Sequence, residues 1–132
     1  DEHAGRVLVI AGSDSGGGAG IQADIKAIAA MGGYATTAIT AITAQNTLGV
    51  TAVHPVPVDI VVAQMSAVLD DIGTDAIKTG MLVNEAIVLA VADLIEQRAP
   101  GLPFVLDPVM VATSGDALLD EGAEAAIRDR LL

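Results

Sequence analysis

Cysteine is absent from the 132 residues, which excludes disulfides and thiolate metal sites within the chain. Aromatic side chains are nearly absent as well: Tyr34 and Phe104 stand alone, and there is no tryptophan. The core must come from Val, Ile, Leu, Met and many Ala, and alanine-rich helices pack closely on sheets. Basic residues are scarce, six Lys and Arg against seventeen Asp and Glu, for a formal net charge of -11. A nucleic-acid binder needs a basic surface to neutralise phosphates, so no nucleic-acid partner is expected. Apolar runs break well short of membrane-spanning length, so no membrane partner is expected either. The opening DEHAGRVLVIAG is acidic and enters a strand directly, unlike a secretory signal, and the expected location is cytoplasmic.

Local phosphate chemistry survives these exclusions, because backbone N–H groups, a helix N-terminus, one lysine or Mg²⁺ suffice for it. Hydrophobic residues make up 52% of the chain, enough for one folded domain. The apolar run Val7 to Ala11 reads as a strand covered on both faces. Ala19 to Met31 places Ile21, Ile25 and Ile28 at helical spacing, and Gly32-Gly33 stops that helix.

Tyr34 to Thr43 is rich in β-branched residues and reads as a second strand, with turn chemistry from Gln45 to Gly49. Val50 to Val58, with two prolines, reads as an extended connection or edge strand. Asp59 is placed to cap a helix with the stripe Val61, Met65, Val68 and Leu69. A short strand, Asp75 to Thr79, ends at Gly80. Asn84 then caps a helix that turns Ile87, Val91, Leu94 and Ile95 inward. Pro103 to Leu106 is a further strand, and Asp120 caps a last helix carrying Ala123, Ile127 and Leu131. Strands alternating with helices predict an α/β fold, a layered αβα arrangement around a mostly parallel sheet. The sequence stops on IRDRLL, at a helix where another strand is expected, so the fold is expected to be incomplete at its C-terminus.

Gly12 to Asp24 reads GSDSGGGAGIQAD, a glycine-rich turn between strand and helix. A P-loop requires Lys and Ser/Thr after its last glycine, and here Gly17 leads into Gly18 and Ala19. A dinucleotide fingerprint fits Gly18 to Ala23 but requires an acid at the end of the second strand, where Thr43, Ala44 and Gln45 stand. A small-molecule pocket fits better. Polar residues fall at several strand ends, namely Asp14, Gln45, Lys78 with Met81, and Asp107, and an open parallel sheet gathers such ends on one rim.

The Gln45 amide pairs a donor with an acceptor, as a heterocycle bearing an amino group beside a ring nitrogen requires. Met81 offers an adaptable apolar surface for a flat ring. Asp24 lies in the opening turns of its helix, where the dipole favours a carboxylate that could face a hydroxyl. Pro108 holds Asp107 extended at a strand end, suited to Mg²⁺ or its waters.

Four stretches in this order, GSDSGGGAGIQADIK, TAITAQNTLGV, IKTGML and LDPVMVATSGDALL, resemble the hydroxymethylpyrimidine/phosphomethylpyrimidine kinases of thiamine biosynthesis, in the ribokinase-like superfamily. The resemblance runs from Val7 to about Leu132. It implies an enzyme that uses Mg²⁺ and ATP to phosphorylate 4-amino-5-hydroxymethyl-2-methylpyrimidine and then its monophosphate. Carried over by motif, the pyrimidine pocket comprises Gly12, Ala19, Asp24, Gln45, Met81 and Val109, with Thr43 lining it. Asp107 matches the aspartate that opens the family's DPVM motif, close to metal and phosphates. Homodimers are frequent in the family, so a homodimer is one expected assembly.

The chain departs from the family where Gly16 replaces a common second serine, and in length. The family's later half supplies the glycine-rich anion hole, the catalytic base and most of the ATP site, and no such motif occurs here. Residues 1–132 are therefore expected to be the N-terminal, acceptor-binding part of a single ribokinase-like domain, inactive alone, with the catalytic residues beyond Leu132. The competing readings are a pyridoxal kinase of the same superfamily and a non-catalytic small-molecule binding module. A dinucleotide-dependent oxidoreductase is disfavoured by the missing ribose-binding acid.

Overall fold

Burial along the first strand sorts its side chains between two cores, Leu8 and Ile10 on one face of the sheet, Val9 and Ala11 on the other. This period-two split explains a continuous apolar run: both faces are covered. The computed structural model describes residues 5–109 and 121–132. Its elements are β1 (Arg6–Asp14), α1 (Gly20–Ala30), β2 (Tyr34–Asn46), β3 (Gly49–Pro55), α2 (Val58–Ala67), β4 (Ala76–Thr79), α3 (Glu85–Arg98), β5 (Phe104–Leu106) and α4 (Glu121–Arg130).

The strands form one sheet in the order β3-β2-β1-β4-β5. Strands β1, β2, β4 and β5 run parallel, and β3 lies antiparallel on the β2 edge. The expected layered, mostly parallel α/β sheet is therefore present.

Helices α2, α3 and α4 pack on the face of Leu8, Ile10 and Ile77, burying Val61, Met65, Ile87, Val91 and Ile127. Each fully buried Leu, Ile or Met is worth about 1.5–3 kcal/mol relative to exposure, so this face carries most of the stability. Among the described residues the opposite face holds only α1, over β1 and β2, and Val105 of β5 is 59% exposed. Of the expected stripe on α1, Ile21 is buried and Ile28 packs partly, whereas Ile25 stays exposed because this layer is thin.

Several boundaries differ from expectation for local reasons. Gln45 and Asn46 belong to β2, and the turn is the two-residue Thr47-Leu48, closed by Asn46 Oδ1 accepting the Leu48 N–H at 2.8 Å. Asp59 does not cap α2. The helix begins one residue earlier, after Pro57 at φ -55, and Asp59 falls in its first turn, where it still complements the dipole. Helix α2 runs on through a π-helical turn, Val68–Ile72, and stops at Gly73 with φ 74.

Asn84 caps α3 as expected, its Oδ1 accepting the Ile87 N–H at 2.9 Å. The expected cap at Asp120 lies outside the described residues. Arg130 ties α4 to α3 through Asp93 and Glu96, each at 2.7 Å, and these hydrogen bonds raise its guanidinium pKa above the ordinary value.

Candidate functional site

The carboxyl end of β1 continues into the glycine loop, and one carboxylate organises it. Asp14 Oδ1 accepts the Gly16 N–H at 2.7 Å, and Oδ2 accepts those of Gly18 and Ala19 at 3.0 and 2.8 Å. Gln22 of α1 completes the clamp: its Oε1 accepts the Asp14 N–H and its Nε2 donates to Ser13 Oγ, both at 2.8 Å. These loop N–H groups are satisfied inside the protein, so the loop is not a phosphate cradle. At Gly20, φ is 58 and an added Cβ would overlap the Gly12 carbonyl oxygen, so helix α1 approaches β1 as only glycine permits.

Around this loop lies a cavity of about 280 Å³ at the carboxyl ends of the parallel strands. Gly12, Ala19, Asp24 and Thr43 line it, as do Gln45, Met81, Val109 and Asp107. The structure thus brings every residue expected at the site to one cavity.

Each is held by its own element. The Thr43 hydroxyl, at the end of β2, lies 2.8 Å from the Ser13 carbonyl and 3.2 Å from Gln45 Oε1. A hydroxyl has one proton, and the shorter contact takes it. The main chain of Gln45 is fixed by Ser15, whose Oγ accepts its N–H at 2.8 Å and donates to its carbonyl at 2.6 Å. Among the described residues, Gln45 Nε2 makes no hydrogen bond, so the amide keeps its donor edge for a ligand.

Met81 follows Gly80 at the end of β4, and Thr40 Oγ1 donates to its carbonyl at 2.6 Å. Its side chain fills the space over Gly12, where a Cβ would come within 2.7 Å of Met81 Cε. Two residues later Val83 takes φ 72, a conformation costing a β-branched residue about 1–3 kcal/mol. Burial of Leu82 and the Asn84 cap on either side offset that strain.

Asp24 differs in what orients it. It sits beyond the first turn of α1, which holds no acidic residue, so the helix dipole is not the main influence. Lys78 of β4 holds it instead, Nζ to Oδ2 at 2.7 Å, with both side chains about one-fifth exposed at the cavity wall. Sequence reasoning had Lys78 at a strand end but not this pairing across 54 residues. Asp107 is exposed after β5; its N–H donates to the Thr79 carbonyl at 3.0 Å. Among the described residues nothing donates to its carboxylate.

A mostly parallel sheet with a ligand-sized cavity at its carboxyl edge, reached by side chains from distant segments, is the plan of small-molecule-binding α/β enzymes. In the arrangement of its elements the chain matches the ribokinase-like kinases. A phosphomethylpyrimidine kinase from Clostridium difficile 630 superposes with a TM-score of 0.88 at 44% identity, over 96% of this chain and 55% of that one. The pyridoxal kinase from Staphylococcus aureus, solved with AMP-PCP and pyridoxal, superposes with a TM-score of 0.82 at 38% identity, over 98% of this chain and 45% of its own.

Residues 14–132 match the family described as phosphomethylpyrimidine kinase, and the chain belongs to that family. The hydroxymethylpyrimidine/phosphomethylpyrimidine kinase of Rhizobium meliloti (strain 1021) is 57% identical over 125 residues, covering 95% of this chain and 46% of that protein. The chain thus spans about half the length of the relatives it matches.

Proposed function

We propose that this chain is the N-terminal, acceptor-binding part of a single ribokinase-like domain. That domain phosphorylates 4-amino-5-hydroxymethyl-2-methylpyrimidine, and then its monophosphate, with ATP in thiamine biosynthesis. The observation that carries the reading is the meeting of Gln45, Asp24, Met81 and Gly12 at one cavity. The Gln45 amide, whose Nε2 has no partner among the described residues, suits the amino group and ring nitrogen of the pyrimidine edge, and Met81 suits its face. Asp24 is a fixed acceptor for the hydroxymethyl group. Ala19, Thr43 and Val109 complete the walls.

In the transfer, the acceptor oxygen bonds to the γ-phosphorus while the bond to the β–γ bridging oxygen breaks. ADP leaves with that electron pair, and the alcohol proton passes to a base. That base and the anion hole lie, in this reading, in sequence beyond Leu132. Catalysis of this kind is positioning plus charge stabilisation, so residues 1–132 alone are expected to bind the acceptor and not to turn it over.

Among the described residues no group of three or more His, Asp or Glu could hold a metal ion. A single free carboxylate nevertheless fits Mg²⁺, which keeps most of its waters and takes one or two carboxylates plus substrate phosphates. Asp107 is the carboxylate here that would hold the hydrated ion. When bound, the ion supplies neutralisation of phosphate charge.

The similarity to the Staphylococcus aureus enzyme solved with pyridoxal supports a second reading, phosphorylation of pyridoxal. Calorimetric competition between the two alcohols on the intact natural polypeptide tests both readings. Tighter binding of the pyrimidine alcohol is expected, and tighter pyridoxal binding would overturn the first reading. The proposal includes a homodimer, measurable by light scattering, and a cytoplasmic location, measurable by cell fractionation. Among the described residues no helix is long and apolar enough to cross a membrane.

A further inference from the structure

The cavity is lined by three carboxylates, Asp14, Asp24 and Asp107, and among the described residues by one cation, Lys78. Asp14 is turned inward onto loop N–H groups, and Asp107 stands exposed at the rim. A neutral alcohol meets no electrostatic penalty in such a site. A phosphorylated acceptor, carrying close to two negative charges, is repelled by every lining charge except one. The name of the Rhizobium meliloti relative covers both kinds of acceptor, so a cavity of this composition requires a local counter-charge for the second.

The position of Lys78 suits that task. The sheet order places β4 between β1 and β5, so Lys78 lies between the Gln45 side of the cavity and the Asp107 side. An acceptor held at its ring edge by Gln45, on the β2 side, has β1, β4 and β5 across the cavity from that edge. Lys78 pairs in register with Val9 of β1 and Val105 of β5, which fixes the root of its side chain on a central strand.

The lack of a side chain at Gly80 keeps the space beside the ammonium open, since a Cβ there would lie 3.7 Å from Nζ. An ammonium carries three protons, and among the described residues the one acceptor it meets is Asp24 Oδ2 at 2.7 Å. Two protons remain for phosphate oxygens. Lys26, the other lysine near the loop, donates to the Gly17 carbonyl at 2.8 Å and does not line the cavity.

We propose that Lys78 is the residue that admits the phosphorylated acceptor. Paired with Asp24 it leaves the alcohol site locally neutral, and with the monophosphate bound it shares its protons between Asp24 and the phosphate. This inference rests on the functional reading above. Its test is titration calorimetry of the intact natural polypeptide with the pyrimidine alcohol and with its monophosphate, for wild type, Lys78→Met and Lys78→Arg.

In Lys78→Met, the loss of monophosphate affinity should exceed the loss of alcohol affinity by about tenfold or more, the scale of one charge-assisted contact. Lys78→Arg should restore most of that difference. Equal losses for both ligands would reduce Lys78 to a support for Asp24 and overturn the inference while leaving the functional reading intact. A wild type that binds neither pyrimidine overturns both. Should Lys78→Met fail to fold, a salt titration of wild type decides: monophosphate affinity must fall with ionic strength more steeply than alcohol affinity, and parallel slopes would refute the inference.

Discussion

The side chain of Gln64 brackets the main chain of Ile39. Its Oε1 accepts the Ile39 N–H at 2.8 Å, and its Nε2 donates to the Ile39 carbonyl at 3.0 Å. The pair joins α2 to β2 just before β3 takes up antiparallel pairing at Ala41. In effect an amide stands in for one residue of a neighbouring strand. The same strand carries Thr43 and Gln45 to the cavity a few residues further on, so this contact helps set where they arrive.

Replacing Gln64 with methionine, of similar length but without hydrogen-bonding groups, leaves the Ile39 donor and acceptor unmet in a half-buried position. Urea unfolding should show a loss of about 1–3 kcal/mol. An unchanged midpoint would mean that water replaces the amide at no cost.

Asp14 is the second stabilising polar group, and its loss should be heavier. Asp14 is 6% exposed, its carboxylate accepts three backbone N–H groups, and Asp14→Ala strands all three. The expected cost is about 2–4 kcal/mol in urea unfolding, with Asp14→Asn intermediate because it keeps one acceptor oxygen. If alanine costs no more than asparagine, the loop is not built on the carboxylate.

Gln45 carries the recognition argument. Gln45→Ala in the intact polypeptide should weaken binding of the pyrimidine alcohol by about 1–3 kcal/mol with little change in stability, because its main-chain bonds to Ser15 do not depend on the side chain. Equal affinities by calorimetry would remove the amide from the pocket.

How much of this was legible beforehand follows from the range of each interaction. The strand–helix alternation and the Asn84 cap are written in residues a few positions apart, and both were readable. The gathering of Gln45, Met81 and Asp107 on one rim was readable too, because a parallel sheet collects strand ends wherever they fall in the chain. The Lys78–Asp24 pair was not, since two charges 54 residues apart acquire a relationship only once β4 lies beside β1 and α1 lies over it. Asp14 as the hub of the loop was missed for the opposite reason. A strand-end aspartate beside glycines looks the same whether it faces a ligand or folds back on its own backbone. Ile25 shows the limit of periodicity: helical spacing marks an apolar stripe without saying how much of it the neighbouring layer covers.

Asp107 separates binding from chemistry. It stands exposed after β5, its carboxylate accepts no hydrogen bond among the described residues, and its N–H is anchored on the Thr79 carbonyl. Removing its charge should therefore leave the fold and the pyrimidine contacts proposed for Gln45 and Met81 largely as they are. Asp107→Asn keeps the size and the main-chain anchor while weakening the attraction for a hydrated Mg²⁺ near the phosphates. Steady-state kinetics of the intact enzyme should show a lower kcat and a higher Mg²⁺ concentration for half-maximal rate, with the KM for the pyrimidine altered far less. Raising Mg²⁺ should recover part of the rate, because a weakened ion site fills by mass action. A variant with unaltered kcat and metal response would leave Asp107 as the polar end of a strand and nothing more.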